Sequence, residues 1–227
     1  MHIPDGFLSP EVAATTAVVA AGAVAVGVQQ AGRRLDDRVV PLLGVTGAFV
    51  FAAQMLNFPV AGGTSGHFLG AALATILLGP WLACLVLAVV LATQSFVFAD
   101  GGVSALGANV VNMGVVGALA AGGLMLAARR VLPRRRGALL AVAGIGAWLA
   151  VVAGAAATAV CLAISGTVPL GTVLPAMLGV HVVIGLGEAA ITVAALSALM
   201  ATRPDLIGTW APTGQRQPHV RPIPQGA

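Results

Sequence analysis

Lysine is missing from this chain of 227 residues, and charge of either sign is scarce. The basic side chains are eleven arginines and the acidic ones number seven, so charged residues make up only 8%. Without lysine no Gly-x-x-x-x-Gly-Lys phosphate loop can be written, and the chain does not energise anything through that motif. Cysteine is nearly absent too. Cys84 and Cys161 each sit inside an apolar run and read as small packing residues rather than a disulfide or a metal pair. Apolar residues are abundant instead, at 59% of the chain with a mean hydropathy of +1.01. A soluble domain averages about 25% charged and roughly 45–50% apolar residues. The composition is that of an integral membrane protein, and long Ala/Gly-rich runs point to helices rather than a barrel. The net charge of +4 is better explained by topology than by nucleic-acid binding.

Apolar segments fall at about 12–31, 41–57, 66–78, 80–98, 106–128, 137–165 and 172–201. Arginines occur at 33, 34 and 38, at 129, 130, 134, 135 and 136, and at 203, 216 and 221. Basic residues gather on the cytoplasmic side. Seven crossings, with a tight turn at Gly79-Pro80, put all eleven arginines on one face; merging the third and fourth segments would move the five-arginine loop outside. The expected fold is therefore an all-α integral membrane protein, a bundle of seven transmembrane helices with the N-terminus outside and the C-terminus cytoplasmic. Residues 1–205 form the membrane domain, and the Pro-rich stretch 206–227 is a flexible cytoplasmic tail. The outer loops, NFPVAGGTSGH, ADGGVSALGAN and SGTVPLG, are rich in Gly, Ser and Thr and carry no arginine. Such loops let backbone approach a ligand closely.

The opening, MHIPDGFLSP, lacks the basic and apolar pattern of a cleaved signal, so Met1 is expected to be the mature N-terminus. A free amine followed by histidine is a chelator. The Met1 amine, the backbone nitrogen of His2 and a nitrogen of the His2 imidazole close small rings around one ion. The peptide nitrogen must lose its proton, which favours Ni(II) or Cu(II) and a flat, nitrogen-rich site with one open corner. His67 ends a glycine-rich loop on the same face and is the candidate for that corner. Each histidine alone reads as a terminal or helix-capping residue. Together, with Gly62, Gly63 and Gly66 clearing space and Asp5 and Asp100 supplying charge, they favour a metal site.

MHIPDGFLSP, NFPVAGGTSGHFLGAALA, FADGGVSALGANVVNMGVVG and HVVIGLGEAAIT together resemble the CbiM/NikM family, over residues 1 to about 205. These are the substrate-binding membrane subunits of energy-coupling factor (ECF) transporters, ABC importers for cobalt and nickel. The resemblance implies a seven-helix subunit of the cell membrane whose N-terminal tail is tucked into the bundle. It implies Ni2+ or Co2+ as transported substrate, with nickel slightly favoured, no cofactor and no catalysis. The implied ligands are the Met1 amine, the His2 amide and imidazole nitrogens, and His67. The implied partners are a coupling transmembrane subunit, two ATPase subunits and a small accessory membrane subunit.

Other polar residues have two readings. Ser65, Asn57, Asn109 and Asn112 either tether the outer loops over the ion or cap helix ends. His181 either orients a ligand or is a core histidine, the latter being favoured. Glu188, seven residues on along the same face, either holds helices together through a buried hydrogen bond or assists release, the former being favoured. Asp36 and Asp37 read as solvated. Small residues at spacing four, Ala13-Ala17-Ala21-Ala25 and Gly44-Ala48-Ala52, read as helix-packing stripes, the second also as a face for the coupling subunit. Two rival functions rank lower. An intramembrane metalloenzyme wants a His-Glu-x-x-His cluster, which does not occur. A stand-alone secondary carrier wants paired repeats and midplane carboxylates, of which Glu188 is the only deep one.

Overall fold

The computed structural model describes residues 1–34, 39–60, 64–133 and 135–207. Asp36, Asp37, Gly62, Gly63, the Ser65 side chain and the tail from 208 on lie outside the described residues. The helices are α1 (Pro10–Arg34), α2 (Val39–Gln54), α3 (Ala71–Leu78), α4 (Pro80–Phe98), α5 (Leu106–Val131), α6 (Arg136–Ile164) and α7 (Leu170–Thr202). Five of them, α1, α4, α5, α6 and α7, are long and apolar enough to cross a membrane. α2 is a shorter apolar helix of 16 residues, and α3 has eight. The break at Gly79-Pro80 falls where expected: Gly79 has φ 85°, and Pro80 opens α4.

The third segment departs from expectation. Helix α3 begins only at Ala71, and the stretch before it is extended. β1 (Asn57–Val60) pairs antiparallel with β2 (Thr64–His67), with Asn57 opposite His67 and Val60 opposite Thr64. The all-α expectation thus gains one two-stranded ribbon. The run Thr64-Ser65-Gly66 lacks helix formers, and pairing across the ribbon satisfies backbone groups that water would otherwise have to meet.

α6 packs along α7, and α5 packs against α6; α1 lies against α4 and the start of α5, and α2 against α4. Small residues set these distances, as expected where packing rather than hydrophobic exclusion joins helices. A Cβ at Gly107 would stand 2.5 Å from both the Cα and the amide nitrogen of Ala17. No side chain fits there, so glycine lets α5 start against the backbone of α1. Gly27 does the same for α1 against Trp81 and Leu85 of α4. By contrast, Gly44, Ala48 and Ala52 of the α2 stripe face outward.

One turn into α5 the helix widens into a π-helical stretch, Val110–Val116, directly after Asn109. Such bulges break the regular ladder and recur at functional sites. Replacing Gly107 by alanine is expected to push α1 off α5 and to cost about 1–3 kcal/mol, read as a lowered thermal unfolding midpoint of the detergent-purified protein.

Candidate metal centre

The first three residues lie inside the molecule. Met1 and Ile3 are 0% exposed and His2 only 4%. A buried chain end carries obligatory backbone donors and acceptors that must be met. Asn109, at the end of the first turns of α5, meets them with one side chain: Ile3 N–H donates to its Oδ1 at 2.8 Å, and its Nδ2 donates to the Ile3 carbonyl at 3.1 Å. Gly102 N–H donates to the same carbonyl at 2.9 Å. Further out, Asp5 Oδ1 accepts from the amide and hydroxyl of Ser104 at 2.8 and 2.6 Å. The Thr167 hydroxyl donates to the Phe7 carbonyl. A Cβ on Gly102 would lie 2.3 Å from the Asp5 amide nitrogen, so only glycine lets the 99–105 loop close over the tail. The Met1 side chain reaches toward α6, its sulfur 3.3 Å from where a Cβ on Gly154 would be.

His2 and His67, 65 positions apart in sequence, face each other with ring centroids 4.6 Å apart and planes 25° apart. Two imidazoles bound at right angles to one ion through metal–nitrogen bonds of about 2 Å have centroids roughly 4.4 Å apart. The observed separation fits that arrangement. His67 is 0% exposed. Its Nδ1–H donates to the Phe68 carbonyl at 2.7 Å, which leaves a lone pair on Nε2, and this buried nitrogen has no hydrogen-bond partner. A buried acceptor without a donor is costly, and a ligated cation would meet it. On His2, Nε2 lies 3.2 Å from Gln94 Oε1, and Nδ1 lies 3.2 Å from Asp100 Oδ1. Nδ1 is the nitrogen that closes a six-membered ring with the His2 amide.

Burial pushes the Met1 amine down to about 5 from 8.0, with the Asp100 carboxylate opposing part of the shift. The folded amine is therefore neutral through the neutral range. The His2 and His67 imidazoles are thus buried together, with the chain's amine within electrostatic reach of His67. Among the described residues, His, Cys, Asp and Glu side chains alone form no group of three that could hold a metal.

The setting of His67 is supplied by the linker that follows it. Glu188 of α7, 2% exposed, accepts from the Leu69 amide at 2.6 Å and the Gly70 amide at 2.7 Å. Gln54 of α2 donates to the Leu69 carbonyl at 2.7 Å. The carboxylate expected to hold helices together thus ties α7 to the linker, through backbone rather than through another side chain. His181 is fully buried, donates from Nδ1 to the Met177 carbonyl at 2.8 Å, and lies within electrostatic reach of His67. Asn112 donates to Thr158 at 3.3 Å, joining α5 to α6. Gln54 and Gln94 escaped sequence reading; each is a glutamine in an otherwise apolar run, and that was the available signal.

Two outcomes follow. Asn109→Ala strands the buried Ile3 amide and is expected to lower stability by about 1–3 kcal/mol and metal affinity by roughly 10–100-fold, read by thermal unfolding and by titration. Between the folded amine value of about 5 and the unfolded value of 8.0, the unfolded chain binds one proton more than the folded one. The metal-free protein should therefore gain stability as pH rises through that window, which thermal unfolding at stepped pH would show.

The chain is similar to known transport proteins over most of its length. A fused nickel transport protein NikMN of Rhodobacter capsulatus is 32% identical over 97% of this chain and 68% of its own length. The cobalt transport protein CbiM of Sorangium cellulosum is 35% identical over 91% of this chain and 94% of its own. A crystal structure of a truncated transition metal transporter superposes with a TM-score of 0.81 at 32% identity, covering 88% of this chain and 99% of that one. Residues 2–206 match the family described as the cobalt uptake substrate-specific transmembrane region, a span that holds His2 and His67 and every polar residue that positions them, and by that match the chain belongs to the CbiM family.

Proposed function

We propose that this chain is the substrate-binding membrane subunit of an ECF-type ABC importer for nickel or cobalt ions, with nickel favoured. The observation that carries the reading is the buried chain start facing the bare Nε2 of a buried histidine. In this reading the chain crosses the cell membrane seven times, with the N-terminus outside and the tail 206–227 in the cytoplasm. The five long apolar helices support a multi-pass protein, and in this reading α2, and α3 with the stretch before it, make the other two crossings.

The ion is the cargo. The Met1 amine, the His2 amide nitrogen and His2 Nδ1 hold it on three sides, and His67 Nε2 closes the fourth. Five- and six-membered rings force the three N-terminal donors into one plane. A planar nitrogen field suits Ni(II), which is the ground for preferring nickel. Binding expels the proton of the His2 amide, so capture weakens as pH falls. The amine adds little to that penalty, because burial has already neutralised it.

Energy comes from separate ATPase subunits through a coupling membrane subunit, with a small accessory membrane subunit completing the importer. ATP hydrolysis there reorients or distorts this subunit and opens the site inward. The relatives bearing nickel and cobalt transport names support the cargo class.

The reading requires Met1 to present a free amine. One residue added before Met1, or His2→Ala, is expected to abolish Ni(II) binding by the detergent-purified protein, and His67→Ala to weaken it at least 100-fold, each measured by calorimetric titration. An extended chain that binds as tightly as the native one would rule the chelate out.

A further inference from the structure

The end of α4 is built around one buried side chain that the metal-ligand set does not use. Gln94 is 0% exposed, and its Oε1 lies 3.2 Å from Nε2 of His2. Its own main-chain carbonyl accepts the amides of Ala99 and Asp100, at 3.0 Å for the latter, and Ala99 takes the left-handed conformation at φ 54°. This closing turn swings the chain round so that Asp100 Oδ1 comes within 3.2 Å of His2 Nδ1. The neighbouring Ser95 hydroxyl donates to the Gly101 carbonyl at 3.0 Å and fixes the same turn. Both nitrogens of the His2 ring are therefore addressed from α4: Nε2 by the Gln94 side chain, and Nδ1 by a carboxylate that the Gln94 backbone places.

We infer that Gln94 is the positioning residue that makes His2 Nδ1, rather than Nε2, the metal-binding nitrogen. This rests on the ligand set proposed above. Only Nδ1 closes a six-membered ring with the His2 amide; Nε2 points away from the main chain and cannot. Once Nδ1 carries the ion, Nε2 carries the ring proton. That N–H is buried and needs an acceptor, and the Gln94 carboxamide oxygen supplies it. A hydrogen bond of this kind fixes both the tautomer and the rotation of a ligating imidazole. An ion held at Nδ1 would bring positive charge within reach of the Asp100 carboxylate. Without Gln94 the ring is free to turn and offer Nε2. The chelate would then open to fewer donors, and the planar field that distinguishes Ni(II) would be lost. Gln94 thereby acts on selectivity as well as affinity, without touching the ion.

The test uses the full-length protein in detergent and Ni(II) itself. Gln94→Met keeps the length of the side chain and removes the acceptor; Gln94→Glu keeps the acceptor. Gln94→Met is expected to lower Ni(II) affinity by roughly 10–100-fold and to abolish the visible absorption of planar low-spin Ni(II), with the metal-free unfolding midpoint unchanged. Gln94→Glu is expected to recover most of the affinity and the planar spectrum. Wild-type affinity and spectrum in Gln94→Met would overturn the inference. So would equal impairment of both variants, which would mark a packing role. Planar Ni(II) is diamagnetic, so the loaded wild-type protein labelled with 15N-histidine gives a reading that needs no variant: His2 Nε2 should carry a proton, and a metal-bound Nε2 would refute the assignment. His2→Ala separates this inference from the site reading. If it abolishes binding while Gln94→Met leaves binding intact, only the role of Gln94 falls; if both bind like the wild type, both readings fall.

Discussion

Burial of the chain's first three residues is the constraint on which the rest of the structure depends. A polypeptide end normally stays in water because its amine is charged and its amides are unpaired. Here the amine is neutralised by its surroundings, and the peptide groups of Ile3 are paired with Asn109 and Gly102. Those pairings explain features that otherwise look unrelated. Gly102 lacks a side chain because the tail's backbone occupies that space. Asn109 is buried in an apolar helix because it substitutes for a missing strand partner. The α5 helix loosens into a π-helical stretch one residue later, where Asn112 reaches across to α6.

The buried Met1 amine and the His2 and His67 imidazoles lie close together. Side chains alone assemble no metal site among the described residues. A neutral amine, a His67 Nε2 without a hydrogen-bond partner and the Asp100 carboxylate beside His2 make up the electrostatics of this cluster. The buried carboxylate of Glu188 is spent on two linker amides.

Much of this was legible in the sequence, for physical reasons that differ by element. The long helices announce themselves by length and hydropathy, and Gly79-Pro80 by the stereochemistry of proline. Met1, His2 and His67 could be singled out because chelate chemistry depends on the identity and order of a few atoms, which the sequence prints; the fold buries all three, with the two imidazoles 4.6 Å apart. The ribbon of β1 and β2 was not readable: its Gly- and Pro-bearing run shows no alternation of polar and apolar residues, so nothing separated it from loop or from the start of α3. Glu188 stood out as an ionisable group in a membrane helix, but its partners are backbone amides 118 and 119 positions away, which carry no side-chain signal. Gln54 and Gln94 are single glutamines whose importance lies wholly in what the fold brings near them.

The linker after His67 carries a mechanical consequence. Leu69 is gripped on one side by Gln54 of α2 and on the other by Glu188 of α7. These are short bonds to the backbone of the same residue, so the linker acts as a tie-rod between two helices that make little other contact. Any force that draws α2 and α7 apart is delivered through Leu69 to a point two residues from the imidazole of His67. A push applied at the rim of the bundle therefore arrives at its centre as a tug on one ring.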